Sequence, residues 1–531
     1  MLRLINLSVP LDFSEESLRS LLLRKTGLSS NQLHRFSVVR KSVDARDKSD
    51  VHFVLSVDLD VSDETVAVKK CRQLTPVMPE RKTALPRHSF DLRPVVVGAG
   101  PAGLFAALTL ARAGASPVLI ERGRSVHERT EDVSRMTSDG ILDPESNVQF
   151  GEGGAGAFSD GKLTCGIKSP YLRDVLQTFV DHGAPEEILI LQKPHIGTDR
   201  LKGVVASIRE EIIALGGTVL FETRMESLIL KNGHVEGIVT VSHGVRNEIL
   251  TDHVVLAIGH SARDTVETLF RQGVRMIQKP FAVGVRIEHP QSMVNRSQYG
   301  RFAGHPSLGA ADYKLCIHTP DGRGVYTFCM CPGGEIIAAS SEPGRLAVNG
   351  MSYHARSGVN ANSALLVGVR PEDFGSDHPL AGFDFQRKIE TAAYKAGGGD
   401  YRAPAQRVED FLARRPSVRF GDVVPTYRPG VVPADLHAVL PSFVAEDLHS
   451  GIVGMDRYLH GFAMPDAVMT APETRSSSPV RMIRDAAFQA EDLRGLYPIG
   501  EGAGYAGGIV SAAVDGITSA RAVLSDSCLL K

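Results

Sequence analysis

The chain has 531 residues, 43% hydrophobic and 23% charged, with a formal net charge of -2, long enough for several domains with ordinary buried cores. The near-zero charge argues against a nucleic-acid or acidic-membrane partner, and no run of about 18 uninterrupted apolar residues is present to span a bilayer. Six scattered cysteines do not make a disulfide scaffold and suit a reducing compartment, so a cytoplasmic protein without a membrane partner is expected.

Met1 to Leu11 alternates like a strand and lacks the long apolar core and cleavage site of a signal peptide. Leu2–Val9 reads as a first strand, Ser14-Glu15-Glu16-Ser17 as a helix start, and Leu33–Val39 and Val51–Val61 as two further strands flanking a charged turn from Arg40 to Asp50. With a short helix near Val66 to Cys71, residues 1–90 form a small α+β module. The basic residues of the turn are interleaved with Asp44, Asp47 and Asp50, the pattern of a solvated turn more than of an RNA contact. Pro76, Pro79, Pro86 and Pro94 mark Thr75 to Arg93 as a linker.

From Arg93 the pattern changes. Val95-Val96-Val97 leads directly into Gly98-Ala99-Gly100-Pro101-Ala102-Gly103, which opens the apolar run Leu104 to Ala113. Gly114 stops that run, and Val118-Leu119-Ile120 follows, ending on Glu121-Arg122. Strand, G-x-G-x-x-G, helix, strand and acid stand in the order a dinucleotide-binding βαβ unit demands. Gly98 serves the tight turn, Gly100 the close approach to a pyrophosphate and Gly103 the packing of helix on sheet. The positive helix end faces the phosphates, and Glu121, 23 residues after Gly98, is placed to accept from an adenosine ribose.

Downstream, Leu201 to Leu215 reads as an amphipathic helix ended by Gly216-Gly217, with Thr218–Glu222 a strand. Glu226–Leu230 and Val235–Val241 form a hairpin around Lys231-Asn232-Gly233. Asp252 to His260 is a buried strand running into glycine, and Lys279 to Glu473 is rich in strands and prolines. The dinucleotide style returns in Leu496-Tyr-Pro-Ile-Gly-Glu501 and Gly502 to Gly508, before a small-residue helix from Ile509 to Leu524. No repeat is present, and no second G-x-G-x-x-G opens a βαβ unit.

Together these segments resemble the glutathione-reductase-like FAD-binding superfamily and, within it, a family of uncharacterised bacterial FAD-dependent dehydrogenases. Gln149 to Lys162, Pro194 to Asp199, Phe281 to His289, Phe328 to Gly333 and Glu473 to Arg481 are the further stretches that carry the resemblance. It implies an α/β fold with a discontinuous Rossmann-like FAD-binding domain (91–280 and 476–531), an inserted mixed α+β substrate domain (281–475) and the N-terminal module. It implies FAD as cofactor, with Gly98, Gly100, Pro101, Ala102, Gly103, Glu121 and Arg122 at the ADP half. Gly153, Gly154 and Gly156 of the second glycine loop, and Ala257 and Gly259 at a strand end, approach the dinucleotide by backbone. Gly500, Glu501, Gly508 and Ile509 close on the ribityl chain and flavin. The superfamily ends its last motif in Gly-Asp; this chain has Gly500-Glu501, as the narrower family does. A helix N-terminus after Gly508 would stabilise negative charge on the flavin.

The catalytic candidates carry competing readings. Cys329 and Cys331 could relay two electrons beside a flavin, yet disulfide-reductase relatives place their pair elsewhere, with other spacings. Strand alternation instead puts Phe328 and Met330 on one face and the cysteines on the other. Arg286, Arg475 and Arg481 could clamp a carboxylate or phosphate, or serve as structural ion pairs. His195, His260 and His289 could carry protons or be structural, and Asp160 and Lys162 are equally open. No metal-ligand spacing appears. The expectation is an oxidoreductase moving hydride between a small-molecule substrate and FAD. NAD(P)H is an open co-substrate, bound transiently over the flavin for want of a second nucleotide unit. A flavoprotein acting on RNA through residues 1–90 and a flavin-loaded redox sensor are the alternatives. The substrate and oligomeric state are not legible.

Overall fold

The computed structural model describes residues 1–78, 85 and 87–526. The N-terminal module comprises β1 (Leu2–Val9), α1 (Glu15–Thr26), β2 (Leu33–Asp44), β3 (His52–Val61), α2 (Glu64–Lys70) and the short β4 (Thr75–Pro76). Ser14 caps α1 reciprocally: its hydroxyl accepts from the Ser17 N–H, and the Ser17 hydroxyl accepts from the Ser14 N–H. The sheet order is β2-β3-β1-β4, and its inner face closes Leu4, Leu55 and Val57 over Leu18 and Leu22 of α1.

Two boundaries differ from expectation. Arg40 to Asp44, expected in a turn, continues β2, because the ladder to β3 runs on as far as the Asp44–His52 pair and satisfies the backbone there. Thr75–Pro76, expected in the linker, pairs with Leu2 and Arg3 as an edge strand, where proline is tolerated. Pro79 and Pro86 of that linker lie outside the described residues.

The next unit holds β5 (Val95–Val97), α3 (Pro101–Arg112), β6 (Val118–Ile120), α4 (Thr198–Ala214) and β7 (Thr218–Leu220). Every residue of β5 and β6 is buried, as expected of parallel strands covered on both faces. α4 starts three residues before the expected Leu201. β7 stops short of Glu222, which turns the chain at φ 49° into an antiparallel sheet of β8 (Thr223–Lys231), β9 (His234–Ser242) and β10 (Val245–Leu250). The turn between β8 and β9 has positive φ at both Asn232 and Gly233. β10 went unread in the sequence because nearly every residue of it is exposed, leaving no alternation to see.

After β11 (Val254–Leu256) come β12 (Phe281–Pro290), β13 (Cys316–His318), β14 (Gly324–Cys331), β15 (Asn360–Val369), β16 (Ala403–Arg407), β17 (Val431–Pro433) and β18 (Val468–Glu473). These seven form one mixed sheet in the order β13-β14-β15-β12-β18-β16-β17. The chain then returns through β19 (Leu496–Pro498) and α5 (Ile509–Asp526).

β19 joins the parallel sheet β19-β11-β5-β6-β7. From β5 the chain steps to β6 on one side and later to β11 on the other, so the switch of direction falls beside β5. A crevice outside the carboxyl ends of the strands at such a point is where ligands bind. α5 lies against α3 through small residues, and a Cβ on Gly516 would overlap the carbonyl oxygen of Ala102.

This contact predicts that Gly516→Ala destabilises the protein by about 1–3 kcal/mol in urea denaturation. Gly203→Ala, exposed in α4 with open space around it, should instead stabilise by about 0.5–1 kcal/mol. A tolerated Gly516→Ala would contradict the packing of α3 on α5.

Candidate functional site

Three strand ends converge at one edge of the parallel sheet. At the end of β5, Gly98 has φ 100°, and a Cβ there would overlap the Ala257 carbonyl at the end of β11. A Cβ on Gly103 would overlap the Gly98 carbonyl, so this glycine packs helix against strand behind the site without facing it. Gly500 and Glu501 follow β19. Between these ends lies a cavity of about 350 Å³, within the range of small-molecule sites.

The expected ADP-half residues line one part of it: Gly98, Gly100, Pro101, Ala102, Glu121 and Arg122, with Ala257 and Gly259 opposite. Gly100 caps α3 with no side-chain hydrogen bond, leaving the helix end to the cavity. Glu121 is 5% exposed. One of its oxygens accepts from Ala99 N–H at 2.8 Å, the other from Gly123 at 3.0 Å and Gly151 at 2.9 Å. The expected ribose acceptor therefore also clamps both glycine turns together. Arg122 is paired with Glu145 and Asp264 and lies 4.1 Å over the Phe150 ring.

Gly154 and Gly156 of the second glycine loop line the middle, whereas Gly153 is turned away, its N–H tied to the Ala99 carbonyl. That loop is held from behind by the fully buried Arg129, whose guanidinium donates to the carbonyls of Asn147, Val148, Glu152 and Gly154. Gly500, Glu501, Gly508 and Ile509 complete the middle wall. Gly508, which lines the cavity, has φ 115°, a backbone conformation that favours glycine.

Lys162, Phe328, Cys329, Asn349, Glu473 and Arg475 surround the far end. Arg475 is not free to clamp a substrate. Its guanidinium donates to Glu390 at 3.1 Å and to the hydroxyls of Ser261 and Ser341. Arg263 donates to both oxygens of Glu390 from the other side. Against the cost of burial, these two cations hold Glu390 well below the usual carboxylate range. Arg286 lies behind the wall, engaged with Glu473, Asn349 and Asn362. Arg481 donates to the Gly504 carbonyl.

Among the histidines, only His260 lines the cavity. Burial, then Arg475 and Arg263, push it down to about 3, and its Nε2 has no hydrogen-bond partner among the described residues, an orphan that a bound ligand would satisfy. His195 is stacked on His354 outside the lining. His289 bonds the Phe462 carbonyl at 2.8 Å in the core. Asp160 pairs with Lys162 and Arg356.

The alternation expected over Phe328 to Cys331 does not hold. The β14–β15 register breaks between Phe328 and Cys331, and Cys329 takes φ 41°. This bulge separates Phe328, which is exposed to the cavity, from Met330, which enters the core. Asn349 and Ser476 were not anticipated at the site. Asn349 is a single polar residue in an apolar stretch, and Ser476 is one of three consecutive serines with nothing to distinguish it from its neighbours.

The described backbone and donors fit an FAD: a helix N-terminus without a cap, a backbone cradle, an orphaned imidazole nitrogen and a site long enough to collect three strand ends. No helix among the described residues is long and apolar enough to cross a membrane.

Comparison with known proteins supports the same reading. An uncharacterized protein of Clostridium beijerinckii is 47% identical over 534 residues, covering 98% of each chain. Residues 280–476 match the family described as FAD-dependent protein, C-terminal domain-like, and 92–279 match pyridine nucleotide-disulphide oxidoreductase. Residues 1–60 match a domain of unknown function. Among solved structures, a flavin-dependent brominase mutant has 12% identity and TM-score 0.37, covering 82% of this chain and 80% of that one. Pyridoxine 4-oxidase from Mesorbium loti has 14% identity and TM-score 0.35, covering 82% and 99%. The chain belongs to a family of FAD-dependent oxidoreductases.

Glu501 gives the site a pH signature. Burial pushes its carboxyl up to about 7, opposed by Lys279. A group that holds its proton more tightly folded than unfolded costs stability as pH rises. In nucleotide-free protein, stability should therefore fall between about pH 4.5 and 7 by more in wild type than in Glu501→Gln. Equal slopes in urea denaturation across that window would contradict the assignment.

Proposed function

We propose that the protein moves two electrons, as hydride, between a small organic substrate and FAD. The observation that carries this is the single cavity to which β5, β11 and β19 each deliver a strand end bearing glycine. FAD, when bound, supplies the hydride chemistry; the chain binds it, orients it and excludes water. The positive end of α3 and the Gly100 backbone would hold the diphosphate. Glu121 retains one acceptor site, on Oε2, for a ribose hydroxyl beyond the three it uses on backbone. Glu501, its carboxyl pushed up to about 7, would accept from the ribityl chain and, in its protonated form, also donate to it. The flavin ring and substrate would share the end walled by Lys162, Phe328, Cys329 and Asn349. With no second βαβ unit opened by G-x-G-x-x-G in the sequence, a nicotinamide nucleotide would use that same end.

Purified protein should be yellow and release FAD, not FMN, on denaturation. Gly100→Val should fold yet lose the flavin: its Cβ would meet only the Gly154 Cα, at 3.8 Å, while the φ of -76° suits any residue. Colourless wild-type protein that refuses added FAD, or a Gly100→Val variant that keeps it, would overturn the reading.

A further inference from the structure

The amide of Asn349 is locked from behind. Its Oδ1 accepts from the Arg286 guanidinium at 2.9 Å and from the Gly350 N–H at 2.8 Å. Both partners can only donate, so the amide cannot be reversed without losing them. The Nδ2 group has no hydrogen-bond partner among the described residues, and its two N–H donors are left for the cavity that Asn349 lines.

Lys162 stands on the same wall. Its ammonium donates to the Met330 carbonyl and lies 3.2 Å from Asp160 Oδ2, which leaves one of its three N–H groups. Asp160 is shared with Arg356, which donates to its Oδ1 at 3.0 Å. Two cations on one carboxylate leave a positive charge over, and of these three residues only Lys162 lines the cavity. Glu473, the acid at that end, is already engaged by Arg286. The β14 bulge holds the two donor groups together: Lys162 bonds the carbonyl of Met330, and Arg286, which carries Asn349, bonds that of Cys329. From the same bulge Phe328, 44% exposed, offers an apolar ring.

We propose that Lys162 and Asn349 hold the carboxylate of the substrate, an organic acid whose apolar body lies on Phe328. This rests on the reading that FAD fills the rest of the cavity. An ionised carboxylate only accepts, and its two oxygens match one ammonium N–H and the two of the amide. Hydrogen bonds to a charged group are about twice as strong as neutral ones, so the wall selects the anion over a neutral amide of the same shape. One positive charge suits a carboxylate better than a phosphate dianion.

Calorimetric titration of the purified full chain with benzoate and with benzamide tests this. Benzoate should bind about tenfold tighter than benzamide. Lys162→Met leaves Asp160 its Arg356 partner, and Asn349→Asp keeps an oxygen for Arg286 and Gly350. Each should abolish the preference while flavin content stays at the wild-type level. Benzoate bound no tighter than benzamide, or a preference that survives either substitution, would overturn the proposal. Loss of flavin with the preference intact would overturn it too, by showing that the two groups serve the cofactor. Colourless protein that still prefers benzoate would overturn the FAD reading alone.

Discussion

One buried carboxylate holds the site in register. Glu121, at the end of β6, accepts from the backbone N–H groups of Ala99, Gly123 and Gly151. It thereby ties the turn after β5 to the second glycine loop across the mouth of the cavity. Glycines cannot brace one another through side chains, so a wall built from them needs an outside anchor. Leaving such buried donors unpaired costs about 1–3 kcal/mol each. Arg129 does the complementary work from behind, collecting carbonyls where Glu121 collects N–H groups.

A second set of buried charges fastens the inserted sheet to the nucleotide unit. Arg263, just after β11, and Arg475, just after β18, meet on Glu390. Within the inserted sheet itself, Arg286 of β12 meets Glu473 at the end of β18. Replacing such pairs by apolar residues is often neutral, but removing one partner strands a charge and costs about 3–5 kcal/mol. Arg263 and Arg475 therefore fix β18 against β11, while Arg286 ties β12 to β18 behind the cavity wall. Glu501 differs from Glu390 and Glu473. It faces the cavity with 27% of its side chain exposed, with His260 Nδ1 at 3.8 Å and without a buried arginine as partner.

What the sequence discloses follows from range. The β5–α3–β6 unit with Glu121 is legible because each of its constraints acts within some 25 residues of chain: a turn needing Gly98, a packing contact needing Gly103, an acid at the next strand end. The wall residues are not legible in this way. Asn349, Glu473 and Lys162 meet only because the seven-stranded sheet folds back over the nucleotide unit, and no local period records that pairing. Cys329 misled the alternation argument because a bulge breaks period two. Arg475 could be read from its surroundings as either clamp or ion pair, and only the position of Glu390, 85 residues earlier, decides between them. β10 was silent for the opposite reason, having no buried face to reveal.

The central claim is that an adenine dinucleotide lies with its diphosphate over the N-terminus of α3 and its ring system between the Lys162–Cys329 wall and the start of α5. A crystal structure of the protein grown with FAD tests this most directly. The account predicts diphosphate oxygens within hydrogen-bond distance of the first N–H groups of α3, an adenosine hydroxyl on Glu121 and the flavin at the Cys329 end. Density for the dinucleotide elsewhere, or a crevice closed by neighbouring side chains, would contradict it.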